Sequence, residues 1–120
     1  MAAAVKWMDR GNVRTEKRTP HWIDFAGWCT WDAFYTQVDE EKILAGLAAF
    51  QEGGFQPGFV IIDEGWQDFD SKHFLLSLGV KAGAFTGDSL KTVVREAKQK
   101  YGVQMVGCWR TLFGELRGVS

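Results

Sequence analysis

The apolar and polar positions divide the chain into three short apolar runs separated by two helical periods. Ile23 to Trp28 is the first run, with Gly27 inside it, and it predicts a strand. Cys29 to Tyr35 continues as an aromatic loop carrying Trp31, Asp32, Phe34 and Tyr35. From Asp39 the period becomes helical, with Ile43, Leu44, Leu47 and Phe50 on one apolar face. Asp39 suits the N-cap, Glu40 and Glu41 suit the positive end of the helix dipole, and Gly53-Gly54 followed by Pro57 ends the helix. Gly46 falls on the opposite side and lowers helix propensity.

Phe59 to Ile62 is a continuous apolar run, as in a strand buried on both faces of a parallel sheet. It leads directly into Asp63, Glu64, Gly65, Trp66 and Gln67. Residues 65–87 carry no strong period and predict a long loop, of the kind that usually belongs to a functional face. His73 lies there without a partner at ligand-like spacing and reads as an ordinary surface histidine. A second helix is expected from Ser89 to Tyr101, capped by Asp88 or Ser89. Leu90, Val93, Val94, Ala97 and Tyr101 form its apolar face, and Gly102 stops it. Val103 to Cys108 predicts the third strand, closing on Trp109 and Arg110. Residues 1–20 show weak periodicity and a basic excess, so they read as an irregular lead-in to a domain over 21–120.

The resulting order is β-α-β-α-β, which right-handed crossovers make parallel. Each strand ends in ligand-type chemistry: Trp28, Trp31 and Asp32; then Asp63, Glu64 and Trp66; then Trp109 and Arg110. Parallel α/β folds build their sites on that rim. Three strands do not close a (β/α)8 TIM barrel, which takes about 250 residues. The polar tail after Leu116 offers no helix to cover the third strand, so the first three strands and two helices of such a barrel are expected, in need of the rest of their own barrel.

Composition adds limits. The 120 residues suit one domain, with 46 % apolar and 24 % charged residues and a formal net charge of −1. That balance gives no reason to expect nucleic acid or an anionic membrane as partner. No apolar run reaches the roughly 18 residues of a membrane span, and Lys6 and Trp7 interrupt the short run at the start, so the expected location is cytoplasmic. Cys29 and Cys108 lack metal-type spacing and read as reduced, buried thiols.

Asp63 and Glu64 are the chemically pointed residues. Adjacent carboxylates are costly to bury without partners, and no Lys or Arg stands in the next four positions. Sugar hydroxyls would suit them, and tryptophan faces would suit the apolar side of a pyranose. Glycosidase carboxylates must stand about 5–5.5 Å or about 6.5–9.5 Å apart across the bond. Neighbours on one strand seldom do so, so Asp63 and Glu64 read as hydroxyl acceptors and no catalytic pair is assigned. No histidine stands near them in sequence, so neither a metal nor another cofactor is expected. The first loop, Gly27-Trp-Cys-Thr-Trp31, has no GxGxxG or P-loop lysine, which argues against a nucleotide site. A non-catalytic carbohydrate-binding or interaction module is the alternative.

Three stretches carry a resemblance: Phe25-Ala-Gly-Trp-Cys-Thr-Trp-Asp-Ala-Phe-Tyr35, Gly53-Gly-Phe55 and Phe59-Val-Ile-Ile-Asp-Glu-Gly-Trp-Gln67. They resemble the raffinose synthase and seed imbibition protein group, which belongs with the α-galactosidases of glycoside hydrolase family 36. Glu16-Lys-Arg18 with Pro20, and Tyr101-Gly-Val103 with Trp109, extend the likeness across about residues 14 to 112. It implies a (β/α)8 barrel and retaining chemistry on α-galactosides, by hydrolysis or by transfer to sucrose-type acceptors. It also implies substrate binding by Asp63, Glu64, Trp31 and Trp109, with Trp28, Asp32 and Trp66 in support. The family's nucleophile and acid/base lie on later strands. The chain departs from the family pattern at Glu64, where aspartate is usual, and at Arg110, where histidine is usual. It departs again at Glu115-Leu-Arg117, in place of a Gly- and Trp-rich turn.

Overall fold

The structure is a computed structural model, and it describes residues 2–8 and 10–112. Four helices lie along it: α1 (Ala2–Met8), α2 (Trp31–Phe34), α3 (Glu40–Glu52) and α4 (Lys91–Gln99). Five strands accompany them: β1 (Gly27–Cys29), β2 (Phe59–Ile62), β3 (Gln67–Phe69), β4 (Leu75–Val80) and β5 (Met105–Cys108).

The central layer is a three-stranded parallel sheet in the order β1-β2-β5. Gly27 pairs with Phe59 and Cys29 with Ile61, while Phe59 pairs with Met105 and Ile62 with Cys108. Period-two alternation separates the faces of β2. Val60 and Ile62 are fully buried in a core with Ile43 and Leu47 of α3 and Val93 and Ala97 of α4. Phe59 and Ile61 point the other way and are half-buried. Their flanking neighbours Gly27 and Cys29 are exposed. One face of the sheet therefore carries the helices and the other is open, which is the division between the outside and the lumen of a partial α/β barrel.

Local chemistry accounts for α3. Asp39 caps it, its Oδ1 accepting from the Lys42 N–H at 2.8 Å and its Oδ2 from Lys42 Nζ at 2.7 Å. Burial works to raise the Asp39 pKa, but the hydrogen bonds and charge of Lys42 outweigh it and hold the carboxyl below its usual range. Gly46 corrects the sequence reading, because it does not face away from the core. A Cβ there would meet the tip of the Trp28 indole at 2.5 Å, and that ring is wedged against Phe34 and Phe50. The glycine is there for close approach of strand and helix.

Other expectations also change. The lead-in holds helix α1 and a 3-10 turn at Arg14–Glu16 in place of irregular chain. The first strand starts at Gly27, since His21–Asp24 winds into a 3-10 turn behind Pro20, whose fixed φ suits helical starts. Residues 65–87 form an antiparallel hairpin of β3 and β4, its register shifted between Gln67 and Phe69. That irregularity hides the two-residue period from the sequence. Helix α4 begins at Lys91 with Leu90 at the N-cap and no side-chain cap, two residues later than expected. Val103 and Gln104 precede the third strand. Both cysteines are free, but both are exposed rather than buried. Glu115-Leu-Arg117 and the tail after Leu116 lie outside the described residues. Among the described residues no helix is long and apolar enough to cross a membrane.

Candidate functional site

The C-terminal mouths of β1, β2 and β5 are tied together by backbone and threonine hydrogen bonds. The Thr30 N–H donates to the Ile61 carbonyl at 3.0 Å, and the Asp63 N–H donates to Thr30 Oγ1 at 2.9 Å. On the other side the Trp109 N–H donates to the Ile62 carbonyl at 2.7 Å. Thr30 is completely buried and fixes where Asp63 leaves the sheet. Sequence reasoning missed it, since a lone threonine among tryptophans carries no distinguishing pattern.

Asp63 follows the alternation of Phe59 and Ile61 onto the open face. Its Oδ1 accepts from the Glu64 N–H at 2.7 Å and its Oδ2 from the Cys29 thiol at 2.8 Å. Each carboxylate oxygen has a second lone-pair direction, so acceptor capacity remains for a ligand. Partial burial pushes the Cys29 thiol up, and the hydrogen bond and charge of Asp63, with the charge of Asp32, push it further. Cys29 is therefore a donor to Asp63. It is not a thiolate. Asp32 is exposed beside this group, and Trp31 is half-buried with its ring edge-on to Tyr35 at 5.3 Å. Partial burial also raises the Cys108 thiol, against the charge of Arg110.

Glu64 behaves differently from its neighbour. It is 4 % exposed, and its Oε1 is buried without a hydrogen bond, 3.6 Å from His73 Nδ1. His73 is thus no ordinary surface histidine. The hairpin brings it back to the mouth of β2, a contact across nine residues that spacing rules do not reveal. Gln67 at the base of the hairpin is also buried, with both side-chain polar atoms unpartnered.

The four tryptophans at or near the strand ends divide into two groups. Trp66 is 7 % exposed, and its Nε1 donates to the Trp109 carbonyl at 2.7 Å. That bond pins the end of β2 to the end of β5, so Trp66 offers no free face to a sugar. Trp28 packs toward α3, on the helix-bearing side of the sheet, because it alternates with Gly27 and Cys29. Trp28 and Trp66 thus pack inside the fold, Trp28 against Phe34 and Phe50 and Trp66 against the end of β5. Trp31 and Trp109, both half-buried, follow β1 and β5 on either side of Asp63. Among the described residues no three His, Cys, Asp or Glu side chains converge as a metal site.

Comparison with known proteins agrees with this geometry. The family model "raffinose synthase or seed imbibition protein Sip1" matches residues 1–86, which include both Trp-rich motifs. A probable galactinol–sucrose galactosyltransferase 6 of Arabidopsis thaliana is 37 % identical over an alignment of 125 residues, covering 88 % of this chain and 17 % of that protein. Stachyose synthase of Pisum sativum is 56 % identical over 52 residues, 43 % of this chain and 6 % of the relative. The chain therefore spans under a fifth of the length of these relatives. Among solved structures, α-galactosidase I from Mortierella vinacea superposes with a TM-score of 0.55 at 25 % identity, covering 75 % of this chain and 24 % of that one. The parallel β1-β2-β5 sheet, the acidic mouth of β2 and the family match over most of its length agree: the chain belongs to the raffinose synthase and seed imbibition protein family.

Proposed function

We propose that the rim around Asp63 is a galactose-recognition surface within an α-galactoside-acting barrel. The carrying observation is the Asp63 carboxylate on the open face: Thr30 Oγ1 fixes the Asp63 backbone N–H, and the Glu64 N–H and the Cys29 thiol hold the carboxylate oxygens with lone pairs to spare. Sugar hydroxyls donate to it, and the faces of Trp31 and Trp109 take the apolar side of the ring. Glu64 is a second acceptor set deeper in the rim. Asp32 adds negative potential beside Cys29. The relatives named galactosyltransferases and the α-galactosidase neighbour support this substrate class.

In this reading the chain orients the galactosyl group and contributes no bond-making residue. Retaining transfer uses a nucleophile and an acid/base about 5–5.5 Å apart. We assign both to later strands of the barrel, whether water or a sucrose-type sugar accepts the galactosyl group.

The test is a nuclear magnetic resonance titration of the chain with galactose and with its epimer glucose. Shifts at Asp63 and at the Trp31 and Trp109 indoles are expected, with galactose binding in the millimolar range, about −4 kcal/mol. No turnover of an α-galactoside is expected. Absence of shifts, an equal response to glucose, or turnover abolished by Asp63→Ala would refute the proposal.

A further inference from the structure

Glu64 ends the buried side of β2, and its Oε1 has no hydrogen bond. A carboxylate oxygen left so costs free energy until a donor reaches it. His73 Nδ1, 3.6 Å away, is also buried and also unpartnered, although the His73 side chain as a whole is 40 % exposed. One ring nitrogen is thus turned inward while much of the imidazole meets solvent.

His73 sits in a turn held by local contacts. His73 has φ +64, a left-handed conformation that residues with side chains seldom adopt. Asp70 holds the turn, its Oδ1 accepting from the Lys72 N–H at 2.8 Å and the Phe74 N–H at 3.0 Å, and its carbonyl from the His73 N–H at 3.0 Å. The imidazole stacks on Phe69, with centroids 5.3 Å apart and planes 13° apart. Ring stacking and three hydrogen bonds hold this turn, and in it one ring nitrogen faces one oxygen.

We propose that His73 is a positioning residue for sugar recognition. Its Nδ1–H closes onto Glu64 Oε1 when a sugar occupies the rim, which leaves the other carboxylate oxygen fixed toward a hydroxyl. Site hydrogen bonds are often long without ligand and tighten in the complex. The hairpin β3–β4 then becomes part of the specificity apparatus. This inference rests on the galactose-recognition reading of the Asp63 rim.

The test compares galactose affinity in the wild-type chain and in His73→Phe, His73→Asn and Asp63→Asn, with thermal unfolding recorded for each. His73→Phe keeps the ring on Phe69 and loses the donor. His73→Asn keeps a short N–H donor and tolerates the left-handed backbone. His73→Phe is expected to weaken binding about tenfold, as for a hydrogen bond to a charged group. His73→Asn is expected to stay within about twofold of wild type, because it restores that bond. Wild-type affinity in His73→Phe, or equal loss in both variants together with a lowered unfolding temperature, would overturn the inference. Unchanged affinity in Asp63→Asn would overturn the rim reading and this inference with it. Loss in Asp63→Asn without loss in His73→Phe overturns this inference alone.

Discussion

Gly65 follows the two carboxylates and turns the chain off β2 toward Trp66. Its φ is +104, and an added Cβ would stand 2.5 Å from the Thr36 carbonyl oxygen and 2.6 Å from the Thr36 carbonyl carbon. Ordinary carbon contacts begin at about 3.5 Å, so backbone would have to move by about 1 Å. Gly65→Ala therefore suffers twice. The backbone conformation costs about 1–3 kcal/mol and overpacking adds about 1–3 kcal/mol. Against this, Ala restricts the unfolded chain and returns about 0.4–1 kcal/mol. The net expectation is a loss of about 3 kcal/mol. Gly83 is the control: its φ is +71, yet nothing lies within 4 Å of the added Cβ. There only the left-handed penalty of about 1–2 kcal/mol acts, offset by the same entropy gain, for a net loss of about 1 kcal/mol. At about 4 °C per kcal/mol, thermal unfolding followed by circular dichroism should drop about 12 °C for Gly65→Ala and about 4 °C for Gly83→Ala. Equal drops would refute the claim that Thr36 closes over the β2 turn.

Further outcomes follow from the same geometry. Trp66→Phe removes the donor to the Trp109 carbonyl and should cost about 1–2 kcal/mol in urea unfolding, where no change would deny the pin between β2 and β5. Gly46→Ala should give none of the roughly 1 kcal/mol helix-propensity gain, because the Trp28 ring occupies the space; a raised unfolding temperature would contradict this. Asp39→Ala should cost about 1 kcal/mol at neutral pH. Since the folded-state Asp39 pKa is depressed, its contribution is present above the unfolded value of about 3.9 and is lost as pH falls through the folded one. The variant should therefore converge with wild type in acid, and a gap that persists there would be evidence against the cap. In a Cys108→Ser background, Asp63→Asn should speed iodoacetamide alkylation of Cys29 severalfold near pH 8. Burial would still hold the thiol up and an amide oxygen could still accept from it, but the charge of Asp63 would be gone. An unchanged rate would contradict the Cys29–Asp63 contact.

What the sequence disclosed depended on whether the signal was local. Phe59–Ile62 reads as a buried strand because four apolar residues stand together, and α3 reads cleanly because its cap, face and stop lie within 15 residues of one another. The hairpin β3–β4 was illegible because its register shifts and because Leu76 and Leu78, which would signal a core, are exposed. Trp28 and Trp31 look alike in sequence, but strand alternation sends Trp28 toward α3, while Trp31 sits beyond the strand end in α2. The exposure of Cys29 was hidden for the same reason: burial depends on which sheet face is covered, and periodicity does not say. Glu64 and His73 meet only because a hairpin intervenes, so their proximity belongs to tertiary structure alone.

The proposed galactose-recognising rim turns on Asp63. Its most direct test is the galactose binding isotherm of the wild-type chain against Asp63→Asn, an isosteric change that keeps an oxygen acceptor but removes the charge. At least a tenfold loss of affinity is expected, the effect of a charge-assisted hydrogen bond, with little change in unfolding temperature. Equal affinity in the two proteins, or no galactose binding by the wild type, would contradict it.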